Sequence, residues 1–324
     1  MTAWLVLLQA TLTISVAGPA TSPEYLPLRL AEAEGYFAQE RLTVSLQTTR
    51  SESQAAEALA RGQAQLAATS VDAALRLGHV AGAPPRLVFG LTEAPPVALL
   101  VPTAQKEAIR SLQNLAGKTV GIPSPGTAEH LMLLSLLAKA GLRLPQLTVQ
   151  SYGDRRLASA MESGQVAAAV IGDPWATRLL EEGSAVALAD FRKRGEASRW
   201  LGQPAVHAAL FARADSTLGP TELAALARTL LKAIDRLRSA TPDELATRLP
   251  STAVGPPADF RLRVSGAREI FLPNGWVTEE MMAESVRLAQ ERAKLPSQVS
   301  VPRNKSRLLL LEPLGEALGP KRPR

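Results

Sequence analysis

Apolar and polar positions along the chain follow two alternating rhythms. Residues 11–16 (Thr-Leu-Thr-Ile-Ser-Val) alternate with a period of two, and short apolar runs follow at 42–47 and 66–69. Between them, residues 23–38 and 52–60 place apolar side chains every three to four positions. The first rhythm fits half-buried strands, the second helices that bury one face. The pattern thus predicts strand, helix, strand, helix, strand. The same order returns at residues 118–122, 127–140, 147–152, 155–162 and 167–171. Strands alternating with helices of this length imply parallel βαβ units with right-handed crossovers.

The second set copies the first in residues as well as in rhythm. Leu42-Thr43-Val44 recurs as Leu147-Thr148-Val149, and Ser22-Pro23-Glu24-Tyr25-Leu26 is echoed by Thr127-Ala128-Glu129-His130-Leu131. Ala58-Leu59-Ala60-Arg61-Gly62-Gln63 is answered by Ala160-Met161-Glu162-Ser163-Gly164-Gln165. A spacing of about a hundred residues exceeds the roughly 20–50 of solenoid repeats, so it predicts two α/β lobes with a ligand site between them. Two further apolar strands, Val97-Ala98-Leu99-Leu100-Val101 after Pro95-Pro96 and Val206-His207-Ala208-Ala209-Leu210-Phe211 after Pro204, are candidate hinge strands. If both cross between lobes, the C-terminal helices near 221–238 and 278–293 return to the first lobe. The expected organisation is a discontinuous lobe of 11–97 plus 207–324, and a second lobe of 98–206. Thr221, Thr241 and Thr278, each ahead of acidic residues, read as structural N-caps.

Composition bounds the function. With 324 residues, 46% hydrophobic and 20% charged, the chain can bury two cores. The net charge of +6 comes from dispersed residues, and only 4% are aromatic, which argues against nucleic acid as a partner. Part of the basic excess, Arg303-Asn304-Lys305-Ser306-Arg307 and Lys321-Arg322-Pro323-Arg324, reads as a solvated, frayed tail. The absence of cysteine removes disulfides, thiolate nucleophiles and cysteine zinc sites. His79, His130 and His207 lack ligand spacing, so no metal site is expected, and His207 reads as a packed histidine in an apolar strand. Met1-Thr2-Ala3-Trp4-Leu5-Val6-Leu7-Leu8-Gln9-Ala10 is apolar and ends on an alanine suited to cleavage, without the basic start of a secretory signal. Because 11–16 matches the opening strand of the second copy, the expectation is a remnant signal over 1–10. Folding then begins near Thr11, and the protein is periplasmic or extracellular. No other segment has the roughly 20 apolar residues a membrane span needs.

The run Pro27-Leu28-Arg29-Leu30-Ala31-Glu32-Ala33-Glu34-Gly35-Tyr36-Phe37, with Leu42-Thr43-Val44, Leu115-Ala116-Gly117-Lys118-Thr119-Val120-Gly121-Ile122-Pro123, Ser163-Gly164-Gln165-Val166 and Asp173-Pro174-Trp175, resembles the solute-binding proteins of the nitrate, sulfonate, taurine and bicarbonate type that serve ABC importers. It also resembles the related binders of thiamine-pyrimidine precursors. The resemblance covers residues 11–213, and the C-terminal third in outline. It implies an α/β type II periplasmic-binding fold: two doubly wound lobes, joined by two hinge strands, that close on a small molecule. It further implies a monomer without a cofactor, delivering its ligand to an ABC permease with a cytoplasmic ATPase. The family's usual Asp after the Gly-Gln-hydrophobic turn is replaced by Gln65 and Ala167, a change that bears on turn geometry more than on ligand chemistry.

In open α/β sheets, ligands lie beyond the carboxyl ends of the strands, where helix N-termini converge. This selects Thr21, Ser22, Thr69 and Ser70, with Asp72 nearby, in the first copy. In the second it selects Ser124, Gly126, Thr127, Asp173 and Trp175. The Ser124-Pro125-Gly126-Thr127 turn is the strongest anion candidate, with a plain N-cap at Thr127 as its alternative. Asp173-Pro174-Trp175 could hold an amine or stack a ring, or serve as a turn packed on the core. These loops favour a small oxyanion such as a sulfonate, nitrate or carboxylate, while Trp175 equally suits a heterocycle. No phosphate loop, nucleophile elbow or paired-histidine zinc motif is present. The cysteine-dependent enzymes of this fold, one releasing sulfinate and one a pyrimidine synthase, need a residue this chain lacks. The expected role is binding without catalysis, feeding a permease or, alternatively, a sensory receptor.

Overall fold

The computed structural model describes residues 11–292 and 294–319; the expected signal remnant at 1–10 and the basic residues 321–324 lie outside them. Ten strands form two five-stranded sheets. They are β1 (Leu12–Val16), β2 (Val44–Thr48), β3 (Leu66–Ser70), β4 (Arg86–Gly90), β5 (Val97–Pro102), β6 (Thr119–Ile122), β7 (Thr148–Ser151), β8 (Ala168–Gly172), β9 (Ala185–Asp190) and β10 (Ala208–Ala212). The sheet orders are β2-β1-β3-β10-β4 and β7-β6-β8-β5-β9. The duplication read in the sequence is thus a duplication of topology, strand for strand.

Within each copy the first three strands pair in parallel, as the alternating pattern requires. The fourth strand of each sheet arrives from the far side of the molecule and runs antiparallel: β10 between β3 and β4, β5 between β8 and β9. Even the register shift repeats, between Leu210 and Phe211 on one side and between Leu99 and Leu100 on the other. These strands are buried along their whole length, which explains their unbroken apolar sequence. Ser15, within β1, is also buried, and its hydroxyl donates to the carbonyl of Ala55 at 2.9 Å.

The two crossings define the hinge. Leu91 packs in the first core and Ala94 in the second; Ala205 packs in the second core and Val206 in the first. Both passages are therefore short, and they lie side by side. The amides of Leu91 and Thr92 donate to the carbonyl of Ala208, and the His207 amide donates to the Thr92 carbonyl at 2.8 Å. Ser285, on the helix Glu279–Arg292, clasps the returning strand through both the amide and the carbonyl of Val206, each at 2.9 Å. That helix touches both lobes, since Leu288 joins the second core and Arg292 donates to Ser135 at 2.9 Å.

Several local expectations change. The helix predicted over 23–38 is a 3-10 turn at Pro23–Tyr25, a helix at Leu26–Ala33 and a short turn at Tyr36–Gln39. Gly35 separates the last two in the left-handed region at φ 68°, a conformation that glycine adopts without cost. Thr241 is the expected N-cap, in a reciprocal arrangement with Glu244, and Thr278 caps Met281. Thr221 is not a cap: the helix Pro220–Ser239 begins at Gly219, whose amide donates to Glu222. The stretch 303–307 is not frayed. Leu308 and Leu311 are buried in the first core, and the Leu310 amide donates to Leu87 beside β4.

Candidate functional site

Between the lobes, beyond the carboxyl ends of the parallel strands, the structure holds a cleft of two adjoining compartments, of about 270 and 370 Å³. Both copies contribute their first helix. Glu24 and Ser22 come from the turn that opens Leu26–Ala33, and Glu129 and Ala128 from the start of Ala128–Lys139. Glu24 and Glu129 occupy equivalent places in the repeat. A second equivalent pair completes the wall: Glu52 and Asp154 are the opening residues of the helices Glu52–Ala60 and Asp154–Glu162.

Carboxylates belong in the first turn of a helix, where they face the positive end of its dipole. Glu24, Glu129 and Asp154 each accept from their own backbone N–H. What sets Glu24 apart is burial without a countercharge. It is 9% exposed, has no salt bridge or hydrogen-bonded side chain among the described residues, and lines both compartments. Burial pushes its carboxyl up to about 8, its own amide opposing and the charges of Glu52 and Glu129 adding to the rise. Burial also raises Glu52, Glu129 and Asp154. Glu52 is held by hydroxyls, accepting from Ser70 at 2.7 Å and from Tyr25 at 3.1 Å.

Of the residues expected from the sequence, Thr21, Ser22, Gly126, Thr127, Asp173 and Trp175 line the cleft. Thr69 and Ser70 do not. Both are buried beneath it, where Thr69 donates to the Glu52 carbonyl at 2.9 Å, while Ser70 holds the Glu52 carboxyl and caps Ala73. Their role is to position Glu52. Ser124 is exposed and lines neither compartment; its carbonyl accepts from the Thr127 hydroxyl at 2.9 Å. The Gly126 amide, the expected anion donor, instead donates to Nδ1 of His130 at 3.0 Å.

Asp173 is a structural anchor. Oδ1 accepts from the Thr177 amide at 2.9 Å and from Arg192 at 2.8 Å, and Arg192 also pairs with Asp190. Oδ2 has no partner among the described residues and sits against Gly266, where any side chain would meet it at 1.8 Å. Gly266 thus lets the helix Pro257–Ala267 close onto the second lobe. Beside it, Arg178 pairs with Asp259 at 2.7 Å and lies over the Trp175 ring, 4.6 Å from its centre. One face of Trp175 is therefore already covered.

His207 is packed as expected but not satisfied. Its Nε2 has no hydrogen-bond partner among the described residues, and Glu52 Oε1 stands 3.7 Å away. Burial, then the nearby Arg292, lowers it to about 3, so the imidazole is neutral. A cavity of about 20 Å³ beside it has room for about one water. Gln65 uses its side-chain oxygen to accept the Thr13 amide at 2.8 Å and lines neither compartment of the cleft.

Glu24, Glu52, Glu129 and Asp154 were not singled out from the sequence. The signal was present in the echo of Ser-Pro-Glu-Tyr-Leu by Thr-Ala-Glu-His-Leu, which aligns Glu24 with Glu129.

None of the curated proteins matches the chain significantly. Among solved structures, a protein of Bordetella bronchiseptica superposes with a TM-score of 0.73 at 22% identity, over 96% of this chain and 97% of that one. The alkanesulfonate-binding protein SsuA of Xanthomonas axonopodis pv. citri, solved with MOPS, gives 0.64 at 23% over 94% and 99%. The periplasmic aliphatic sulphonate binding protein SsuA of Escherichia coli gives 0.68 at 20% over 87% and 91%. The architecture is therefore the two-lobed periplasmic-binding fold. The model of the NMT1/THI5-like family matches residues 22–200, more than half of the chain, and the protein belongs to that family.

Proposed function

We propose that the protein is the solute-capturing component of an ABC importer, working in the periplasm or outside the cell. It closes its lobes on a small molecule and hands it to a permease without chemical change. The cleft carries this reading: a space of small-molecule size, walled by equivalent residues of both lobes, beside two short crossings that can bend together. Relatives of the same fold that bind sulfonates support it. So does the absence of cysteine, the nucleophile on which the resembling enzymes depend. Among the described residues no helix is long and apolar enough to cross a membrane. A library thermal-shift screen tests the reading, since a ligand at 100 times its Kd adds about 2.7 kcal/mol. A saturable shift from one chemical class is the expected result; a folded protein that no solute stabilises would overturn it.

A further inference from the structure

We propose that the cleft recognises its solute through a cationic nitrogen, a protonated amine or amidinium-like group, seated between Glu24 and Glu129 with Glu52 and Asp154 around it. This rests on the solute-binding reading above.

The first support is the charge of the walls. Beside Asp173, which is paired with Arg192, four carboxyls face the cleft in two pairs related by the repeat. The guanidiniums that reach it are Arg50, which is exposed, and Arg263, which bonds the Val254 carbonyl at 2.6 Å and has the carboxylates of Asp259 and Asp173 as its counter-charges. The second, independent support is Glu24 itself, nine-tenths buried, facing both compartments, with no partner but its own amide. A buried carboxylate without a countercharge is costly, and a cation in the cleft would supply one. The third is the state of the donors. Helix N-termini bind oxyanions through free donors, yet here the Gly126 amide is bonded to His130, the Thr127 hydroxyl to the Ser124 carbonyl, and Glu24, Glu129 and Asp154 stand over their own N–H groups. An oxyanion would meet carboxyl groups where the fold would need free amides.

The linkage to pH follows. Glu24 is faced by Tyr25 from its own turn, Glu52 and Arg50 from the neighbouring loop and helix, Glu129 and Asp154 from the other lobe, and Arg263 from the helix Pro257–Ala267. At neutral pH its carboxyl holds a proton. A cation displaces that proton, so its affinity rises about tenfold per pH unit until the carboxyl is ionised. An oxyanion's affinity instead stays level while the carboxyl is protonated and falls as it ionises.

The test is calorimetric titration at pH 6, 7 and 8 with taurine, putrescine and ethanesulfonate, alongside the library screen. Taurine and ethanesulfonate differ only in the amine. Binding of taurine or putrescine that strengthens with pH and weakens at least tenfold in Glu24→Gln supports the proposal, as does a library ligand with a cationic nitrogen that behaves the same way. Glu129→Gln, on the opposite lobe, provides the same readout should Glu24→Gln misfold. Ethanesulfonate binding as tightly as taurine, affinity that falls with rising pH, or a library ligand without such a nitrogen would overturn the proposal while leaving the solute-binding reading intact. Silence from every probe and the whole library would overturn that reading instead.

Discussion

Replacing Glu24 with glutamine removes a buried ionisable group while keeping shape and a hydrogen-bonding end, and the structure dictates how the effect depends on pH. In the folded protein the carboxyl titrates at about 8, against an ordinary value of 4.5. The folded state therefore binds this proton more tightly than the unfolded chain. Stability is greatest below about pH 4.5, where both states are protonated, and falls as the pH rises through 8. Between those two values each step of one in pH costs about 1.4 kcal/mol. The wild type should lose about 3 kcal/mol by pH 7 and about 5 kcal/mol by pH 9 through this group alone. Glu24→Gln does not titrate and escapes the loss. Guanidinium unfolding of both proteins at pH 5, 7 and 9 measures the difference directly. The variant should match the wild type to within about 1 kcal/mol at pH 5 and exceed it increasingly above. A gap that stays constant from pH 5 to 9 would show that the Glu24 carboxyl is solvated rather than buried in the cleft.

Other predictions follow from the same geometry. His207, neutral in the fold and lowered to about 3 from an ordinary value near 6.5, destabilises the protein as the pH falls from 6.5 toward 3; His207→Gln should be more stable by about 3 kcal/mol at pH 4 and equal above pH 7.5, measured by urea unfolding. Arg192→Ala strands the buried carboxyl of Asp173, whose side chain is 1% exposed, and should cost about 3–5 kcal/mol in thermal or chemical unfolding. Gly266→Val puts a side chain onto Asp173 Oδ2, so the lobes should stop short of closure, with a larger radius of gyration in solution scattering and a smaller ligand-induced thermal shift. Ser285→Ala frees the amide and carbonyl of Val206 at the hinge and should cost about 1–3 kcal/mol in unfolding free energy.

The elements were readable where they recur. The helix expected over 52–60 is Glu52–Ala60, the strand at 66–69 falls one residue short of β3, and that at 167–171 is β8 displaced by one residue. The short helix Val71–Leu77 escaped because it follows the buried strand β3 directly, and Trp175–Glu181 because Asp173-Pro174 ahead of it reads as a turn. β4 and β9 escaped for a related reason: they pair with the crossing strands β10 and β5, and nothing local to 86–90 or 185–190 announces that partner. The site was half readable. Strand ends pointed to the cleft, but a hydroxyl at a strand end can turn inward as easily as outward. Thr69 and Ser70 turned inward, to hold Glu52. The glutamates were in view but passed over, because an acidic residue in a first helical turn is accounted for by the dipole alone. Only the burial of Glu24 and its position opposite Glu129 distinguish them from caps.

The carboxyl pairs also bear on how the lobes move. Glu24 and Glu52 belong to the first copy, Glu129 and Asp154 to the second, so closing the cleft brings like groups together from opposite sides. Two unit charges at 4 Å repel by about 4 kcal/mol at an effective dielectric of 20, comparable to the free energy separating two states of a hinge protein. Protonation removes part of this repulsion, which adds to the larger effect of burial in keeping the proton on Glu24. A cation does the same work without the proton and touches both lobes at once. It therefore has the differential affinity for the closed state that a population shift requires, whereas an anion would add to the charge that holds the lobes apart. The backbone need not change for this reversal. A carboxylate placed over its own helix amides converts a donor site into an acceptor site, and the repeat has made that conversion on both walls.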